Sequence, residues 1–378
     1  MKTLEQRRAE YEKASAEIAK LGDADLAKLI KESQQVHEGI GGTAVKLELG
    51  GVPVFAKQIS LSDLEKDNPH STKNLFNIPT FYQYGVGSAG FGAWRELAAH
   101  QQSTKWALDG ECESFPLMYG YAIIPKEKTP PRDAAKMEEI VKYWGGSKEI
   151  GERLKAIDDA QYSVVFFLET IPRTLDDYIH PQASKGETWE VDMPMIERQL
   201  KDVTAFMESK GMIHFDAHGR NVLTDGERVY VADFGLATSL DFELSDAERK
   251  FFEENRGYDR ALAFSCLGWH PRDEAGCQMP ILPQVQECSN RYSELTNTVG
   301  TFFNALRKDE TKEQVKYPMR EIDAIFKKIE SRDGQEAEEK FADKVVRRER
   351  SGSFVERVLA READARTKGD REEDEGKF

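Results

Sequence analysis

Two short stretches constrain this chain more than any other: Gly211-Met-Ile-His-Phe-Asp-Ala-His-Gly-Arg-Asn-Val-Leu223 and Val231-Ala-Asp-Phe-Gly-Leu236. Asp216 is followed five residues later by Asn221, and two β-like runs, Asn221–Thr224 and Arg228–Ala232, lead to Asp233-Phe234-Gly235. A carboxylate able to take a hydroxyl proton, an amide, and a second carboxylate able to hold magnesium are what phosphoryl transfer from ATP requires. A D-F-G tripeptide alone recurs by chance; the two motifs at this spacing, joined by a hairpin, are far more specific. The plainer alternative is an Asp capping a turn beside an ordinary hairpin.

The chain has 378 residues, enough for a sizeable core and for two or three domains or lobes. Its net charge, 53 − 68 = −15, argues against nucleic acid as a partner. No apolar run is long enough for a membrane span, and Met1-Lys-Thr-Leu-Glu-Gln-Arg-Arg8 has no apolar core behind it. The sequence therefore predicts no signal peptide, no membrane association and a cytoplasmic location. Four cysteines are too few for a disulfide framework. Cys266, Cys277 and Cys288 recur at intervals of eleven with His270 nearby, but without the closely spaced pairs of a structural zinc site, so reduced thiols are expected.

Residues 1–32 read as a helical extension, with Leu4, Tyr11, Ala14, Ile18 and Leu21 on one face and a second short helix starting at Asp23. Such a helix packs on the back of a sheet or serves a partner or a second copy. From Ser33 the period changes to that of strands: a short one before Gly39, then Val45–Leu49, a Gly50-Gly51 hairpin, and Val52–Ile59. Residues 60–90 read as polar loop, Phe91–Gln102 as helix, and Phe115–Ile124 and Ser163–Leu168 as strands. Between these last two lies a charged insertion, about 125–161, with helices expected around Ala134–Tyr143 and Lys148–Ile157. Thr174 caps a short helix, a polar loop covers 181–190, and a long helix runs from Met193 to about Lys210, where Gly211 ends it. Ser245 and Glu248 form a capping box. Helices are expected near 257–269, 283–309 and 311–330, followed by a charged helical or disordered tail over 331–378.

The paired motifs resemble the catalytic loop and metal-binding motif of the protein kinase-like superfamily. The resemblance covers about residues 33–330 and rests on Lys57, Glu96, Asp216, Asn221 and Asp233. It implies an α+β, two-lobed fold: a five-stranded antiparallel N-lobe over 33–172 and a mostly helical C-lobe over 173–330. ATP and Mg2+ would lie in the cleft between them. Asp216 would be base or positioner, with Asn221 and Asp233 holding the metal. Lys57, oriented by Glu96, would bind the α- and β-phosphates, with Glu111 or Glu113 as outside candidates for its partner. Gly39, Gly41 and Gly42 resemble the phosphate-covering glycine loop, with the third glycine of G-x-G-x-x-G missing. The Glu169–Ile171 backbone would act as the adenine-binding hinge, with Phe166 or Phe167 bordering the pocket. His214 would support the loop from below, and His218 would contact the transferring phosphate or brace the loop.

Three functions compete on this reading. The first is a serine/threonine-protein kinase acting on a protein hydroxyl, favoured by Asp-Phe-Gly-Leu-Ala237 and the glycine-rich hairpin. The second is a small-molecule kinase of the aminoglycoside or choline kinase type, favoured by His218, by the absence of an A-P-E motif and by the insertion. The third is a pseudokinase scaffold, disfavoured because every residue the chemistry needs is present. Phe215 replaces the arginine that phosphorylation-switched kinases carry before the catalytic Asp, so activity without phosphorylation of the segment after Asp233 is expected.

Overall fold

Helix α1 (Leu4–Lys20) begins where Thr3 and Gln6 close a reciprocal capping box, and α2 (Asp23–Glu32) follows after a two-residue break. This computed structural model describes residues 2–39, 42–85, 87–127, 130–180, 190–269, 282–308 and 312–333. Gly41, His270, Cys277, most of the loop expected over 181–190 and the tail beyond 333 lie outside them.

The chain is α+β with an antiparallel sheet. Strands β1 (Gln34–Gly39), β2 (Gly42–Leu49), β3 (Val52–Leu61), β4 (Met118–Pro125) and β5 (Tyr162–Glu169) lie in the order β1-β2-β3-β5-β4. The sheet described with its side chains has four strands rather than the five expected; Gln34–Gly39 pairs with β2 through its backbone at the outer edge. Gly50 and Gly51, both at positive φ, make the tight β2–β3 hairpin.

Both faces of the sheet are covered. On one, Val45, Val54, Ala56, Val165 and Phe167 pack with Ala14 and Ile18 of α1 and Leu26 and Ile30 of α2. On the other, Leu61, Val164, Phe166 and Leu168 pack with Trp94 and Leu97 of α4 (Ala93–Leu108). At roughly 25 cal/mol per Å² of buried apolar surface, these layers drive the folding of the sheet. Between β4 and β5 the insertion forms α5 (Ala134–Tyr143) and α6 (Lys148–Asp159), as the charge pattern predicts.

The segment 60–92 departs most from expectation. It holds a five-residue helix, α3 (Asp63–Asp67), and a 3-10 turn, Thr80–Tyr84, whose Phe81, Tyr82, Gln83 and Tyr84 are all buried. Its apolar residues follow neither a helical nor a strand period, so pattern reading takes it for surface loop.

The helical region begins with α7 (Leu175–Ile179) and α8 (Met193–Ser209), which Gly211 at φ 70° terminates. Two short ladders carry the 211–236 stretch: β7 (Met212–Ile213) with β10 (Thr238–Ser239), and β8 (Val222–Thr224) between β6 (Arg173–Thr174) and β9 (Val229–Val231). Helices α9 (Asp246–Glu254), α10 (Tyr258–Leu267) and α11 (Pro283–Lys308) follow, with α10 packed on α8 and α11. A core of Ala99, Phe115, Val203, Met207, Met212, Val231 and Phe234 joins α4 and α8 to the 211–236 stretch. Residues 1–322 form one compact unit, and the second unit is 323–378, of which a helical stretch, 323–333, is described. Among the described residues no helix is long and apolar enough to cross a membrane.

Candidate functional site

Lys57 lies on β3 and points to the face covered by α4, where its cross-strand partner Phe166 also points. Phe167 pairs with Ala56 and faces α1 and α2 instead, so of the two phenylalanines expected to border a pocket beside Lys57, Phe167 is on the wrong face. The Lys57 ammonium is 2.6 Å from Glu96 Oε1 and 2.6 Å from Asp233 Oδ1. One side chain thus ties the sheet, α4 and the segment after β9 together. Burial alone would lower the Lys57 pKa, but Asp233 and Glu96 outweigh it and hold it above its ordinary value. Asp233 is pulled the other way: burial would raise it, yet Lys57 brings it down to about 2. Glu96 is therefore the partner. Glu111 pairs with Lys210, and Glu113 lies 2.7 Å from Arg228.

The candidate catalytic stretch, 211–223, is held by two buried groups, His214 and Asp259. His214 is fully buried; its Nε2 is 3.0 Å from the Ala232 carbonyl and its Nδ1 accepts from the Asp216 amide. That pattern fits a neutral ring, and burial pushes its pKa down to about 4. Asp259, near the start of α10, accepts the amides of His214 and Phe215 at 2.6 and 2.9 Å. Burial raises Asp259 to about 7 against the lowering effect of those two N–H groups. Phe215, at φ 61°, fills the space between Phe251 and Tyr258.

At the tip of this support, the Asn221 amide nitrogen donates to the Asp216 backbone oxygen at 3.0 Å and to its carboxylate at 2.8 Å. The amide oxygen of Asn221 is left as a donor for a cation. Asp233, in left-handed backbone at φ 65°, keeps 43 % of its side chain exposed. Asp216 keeps 28 %, and burial, with the Asp233 charge second, raises it to about 8. His218 Nε2 is 3.6 Å from Asp216 Oδ1, while its backbone N–H donates to the Asp216 carbonyl and its Nδ1 accepts from Arg220 N–H. Burial lowers its pKa, which favours the neutral ring as a loop brace. Among the described residues no group of three His, Cys, Asp or Glu side chains forms a metal cage. A hard cation that keeps waters and takes its remaining ligands from phosphate needs only one or two protein carboxylates, and Asp233 with Asn221 suffices for that.

The expected glycine loop is less clear-cut. Gly39 faces Gly42 across the β1–β2 turn, and Gly41 is outside the described residues. A Cβ on Gly42 would stand 2.1 Å from the Gln58 carbonyl oxygen, so close approach of β3 already requires that glycine. Glu169 is buried; its carboxylate is taken by the Arg7 guanidinium at 2.7 Å and by the Leu117 N–H, and its own N–H donates to the Leu117 carbonyl at 2.8 Å. Ile171 follows two residues beyond the end of β5, a strand in the interior of the sheet.

Sequence reading missed four supports. Arg7 sits on the face of α1 that also buries Ala14 and Ile18, and a charge there breaks the apolar pattern. Asp259 carries no local motif. Glu65 anchors the start of α4 by accepting from Ala93 N–H at 2.8 Å, and Arg153 of α6 holds it at 2.6 Å. Gly85-Val-Gly-Ser-Ala-Gly90 had a visible signal, since it spells the full G-x-G-x-x-G that the 39–42 turn lacks. No family model matches this chain, and no curated protein does.

Proposed function

We propose that this chain is a magnesium-dependent phosphotransferase of the two-lobed protein kinase-like type, moving the γ-phosphoryl group of ATP to a hydroxyl. The observation that carries the reading is Lys57 shared between Glu96 and Asp233 at 2.6 Å each, beside Asp216 and Asn221. A lysine this buried and fixed is a preorganised cation, positioned for phosphate oxygens with little reorganisation. Magnesium held at Asp233 and Asn221 would neutralise charge on the transferring phosphate.

Asp216 orients the acceptor hydroxyl and takes its proton. Burial, the main cause that raises the Asp216 carboxyl, makes its ionised form a stronger base for that proton. The acceptor oxygen forms its bond to phosphorus as the bond to the β-phosphate oxygen breaks, and ADP leaves with that electron pair. Adenine would lie along the Glu169–Ile171 backbone. The motif sequence favours a serine or threonine of a protein as acceptor. The packing of residues 69–92 against the catalytic stretch favours the second reading, a small-molecule alcohol. The reaction belongs in the cytosol, where ATP is abundant and free thiols such as Cys112, Cys266 and Cys288 persist.

Asp233→Asn tests the reading, because it keeps an acceptor for the Gly235 N–H and removes the charge. Magnesium-dependent ATP turnover should fall by about a hundredfold or more, with the thermal melting profile retained. Turnover near the wild-type rate would remove Asp233 from the metal site.

A further inference from the structure

Residues 69–92 do not hang off the sheet; they are anchored at three points, one of them on the 231–236 stretch. The Gln83 side-chain amide donates to the Leu236 carbonyl. Tyr84 donates to Asn255 Oδ1 at 3.1 Å and packs its ring 5.0 Å from Phe251 and 5.9 Å from Tyr258. At the far end, Glu65 receives the Ala93 N–H and is itself held by Arg153. Between these anchors the backbone folds on itself: Ala89 N–H donates to the buried Tyr82 hydroxyl oxygen at 2.9 Å, and Gly90 N–H to Ser88 Oγ at 3.1 Å.

The result is a backbone pressed onto the reacting groups. Gly85, at φ 79°, is so close that a Cβ there would lie 3.2 Å from Asp216 Oδ1 and 3.0 Å from Leu236 Cδ1. A Cβ on Gly90 would lie 2.4 Å from the Gly235 carbonyl oxygen. Gly87 has almost the same φ, 80°, and meets nothing within 4 Å. Gly90 is therefore demanded by contact with backbone as well as by conformation, and at Gly85 a side chain would press on Asp216 and Leu236. His218 Nε2 lies 3.6 Å from the same Asp216 oxygen.

We propose, resting on the phosphotransferase reading above, that the backbone at Gly85 and Gly90 is the acceptor-side wall of the cleft. On this view Gly85 sets how bulky a group can reach Asp216. The acceptor is then a low-molecular-mass alcohol rather than a polypeptide. An extended peptide needs about 5 Å to its nearest backbone neighbour and about 10 Å across its side chains, and the flank of Asp216 where it would run is filled by this chain's own backbone.

The test supplies the full chain with γ-labelled ATP, magnesium and either the small-molecule filtrate of a cell extract or the protein retained from it. Label should enter the filtrate and not the retained protein. Gly85→Ala should cut transfer about tenfold or more while leaving the affinity for a fluorescent ATP analogue unchanged. Gly87→Ala, which carries the same backbone strain without the contact, should transfer like wild type. Label in the retained protein, no label in the filtrate, or equal behaviour of the two variants would each overturn the proposal. If Gly85→Ala fails to fold, the partition of label by the wild-type chain decides alone. A chain that does not bind the ATP analogue and labels neither fraction would instead remove the phosphotransferase reading on which this one rests.

Discussion

At Lys57 two carboxylates compete for one ammonium, and they differ in what lies behind them. Glu96 is buried on a helix, whereas Asp233 is partly open to the cleft and free to turn to another cation. Lys57→Met and Glu96→Gln should each lower kcat/KM for ATP, and the double variant should cost less than the product of the two, with a coupling of about 0.5–3 kcal/mol. Full additivity in steady-state kinetics would show that Glu96 does not orient the lysine. His214 gives a second prediction at this scale. Its folded pKa of about 4 lies below the unfolded value of about 6.5. The unfolded chain binds a proton here that the folded chain refuses. This contribution is thus whole above the unfolded pKa and lost as pH falls toward the folded one, about 3 kcal/mol in all. Asp259, raised to about 7, acts oppositely in an overlapping window, since there the folded chain holds the extra proton and loses stability as pH rises. The two slopes oppose each other in wild type, so the informative quantity is the stability difference between wild type and His214→Gln. That difference should shrink in favour of the variant as pH drops from about 7 to about 4, read by urea unfolding across pH. A constant difference would mean that His214 protonates as readily folded as unfolded.

The segment after Asp233 makes its own case as an element. Thr238 and Ser239 are buried and paired with β7, and Phe215 occupies a buried aromatic niche rather than offering a charge. A phosphate on either residue would have to break the ladder. The Thr238→Ala/Ser239→Ala variant and phosphatase-treated wild type should therefore turn over ATP within a few-fold of untreated protein. A drop of about tenfold in both, reversed by rephosphorylation, would show a phosphate switch after all. Elements of this kind were legible wherever sequence carried a period or a cap: α8, the insertion helices α5 and α6, and the Ser245–Glu248 box all stand where pattern places them. Glu96 was legible through the order of strand, loop and helix. Residues 69–92 were not, because their aromatic side chains are buried in irregular backbone, which leaves no period to read. Asp259 and Arg7 were hidden for another reason: each is a charge whose partners lie far along the chain, and no local spacing announces them.

At the scale of the whole molecule, the buried Arg7 guanidinium joins segments far apart in the chain. It binds both Glu169 carboxylate oxygens and the carbonyls of Glu113 and Phe115, with its carbon 5.3 Å from the Tyr230 ring centre. Arg7→Ala would strand a buried carboxylate and should cost about 3–5 kcal/mol in urea unfolding. Arg7→Met combined with Glu169→Gln, which removes both charges and keeps an acceptor for the Leu117 N–H, should recover most of that loss. If the double variant is no better than the single, the guanidinium contributes mainly through its packing and its bonds to the two carbonyls. The same contact also sets a timetable. Arg7 and Glu169 are 162 residues apart in the chain. At roughly 5–20 residues per second on a ribosome, α1 emerges about 8–30 seconds before its partner has been made. During that interval the helix holds its Arg7 cation without the carboxylate it will pair with, so α1 completes its packing only after β5 has been made.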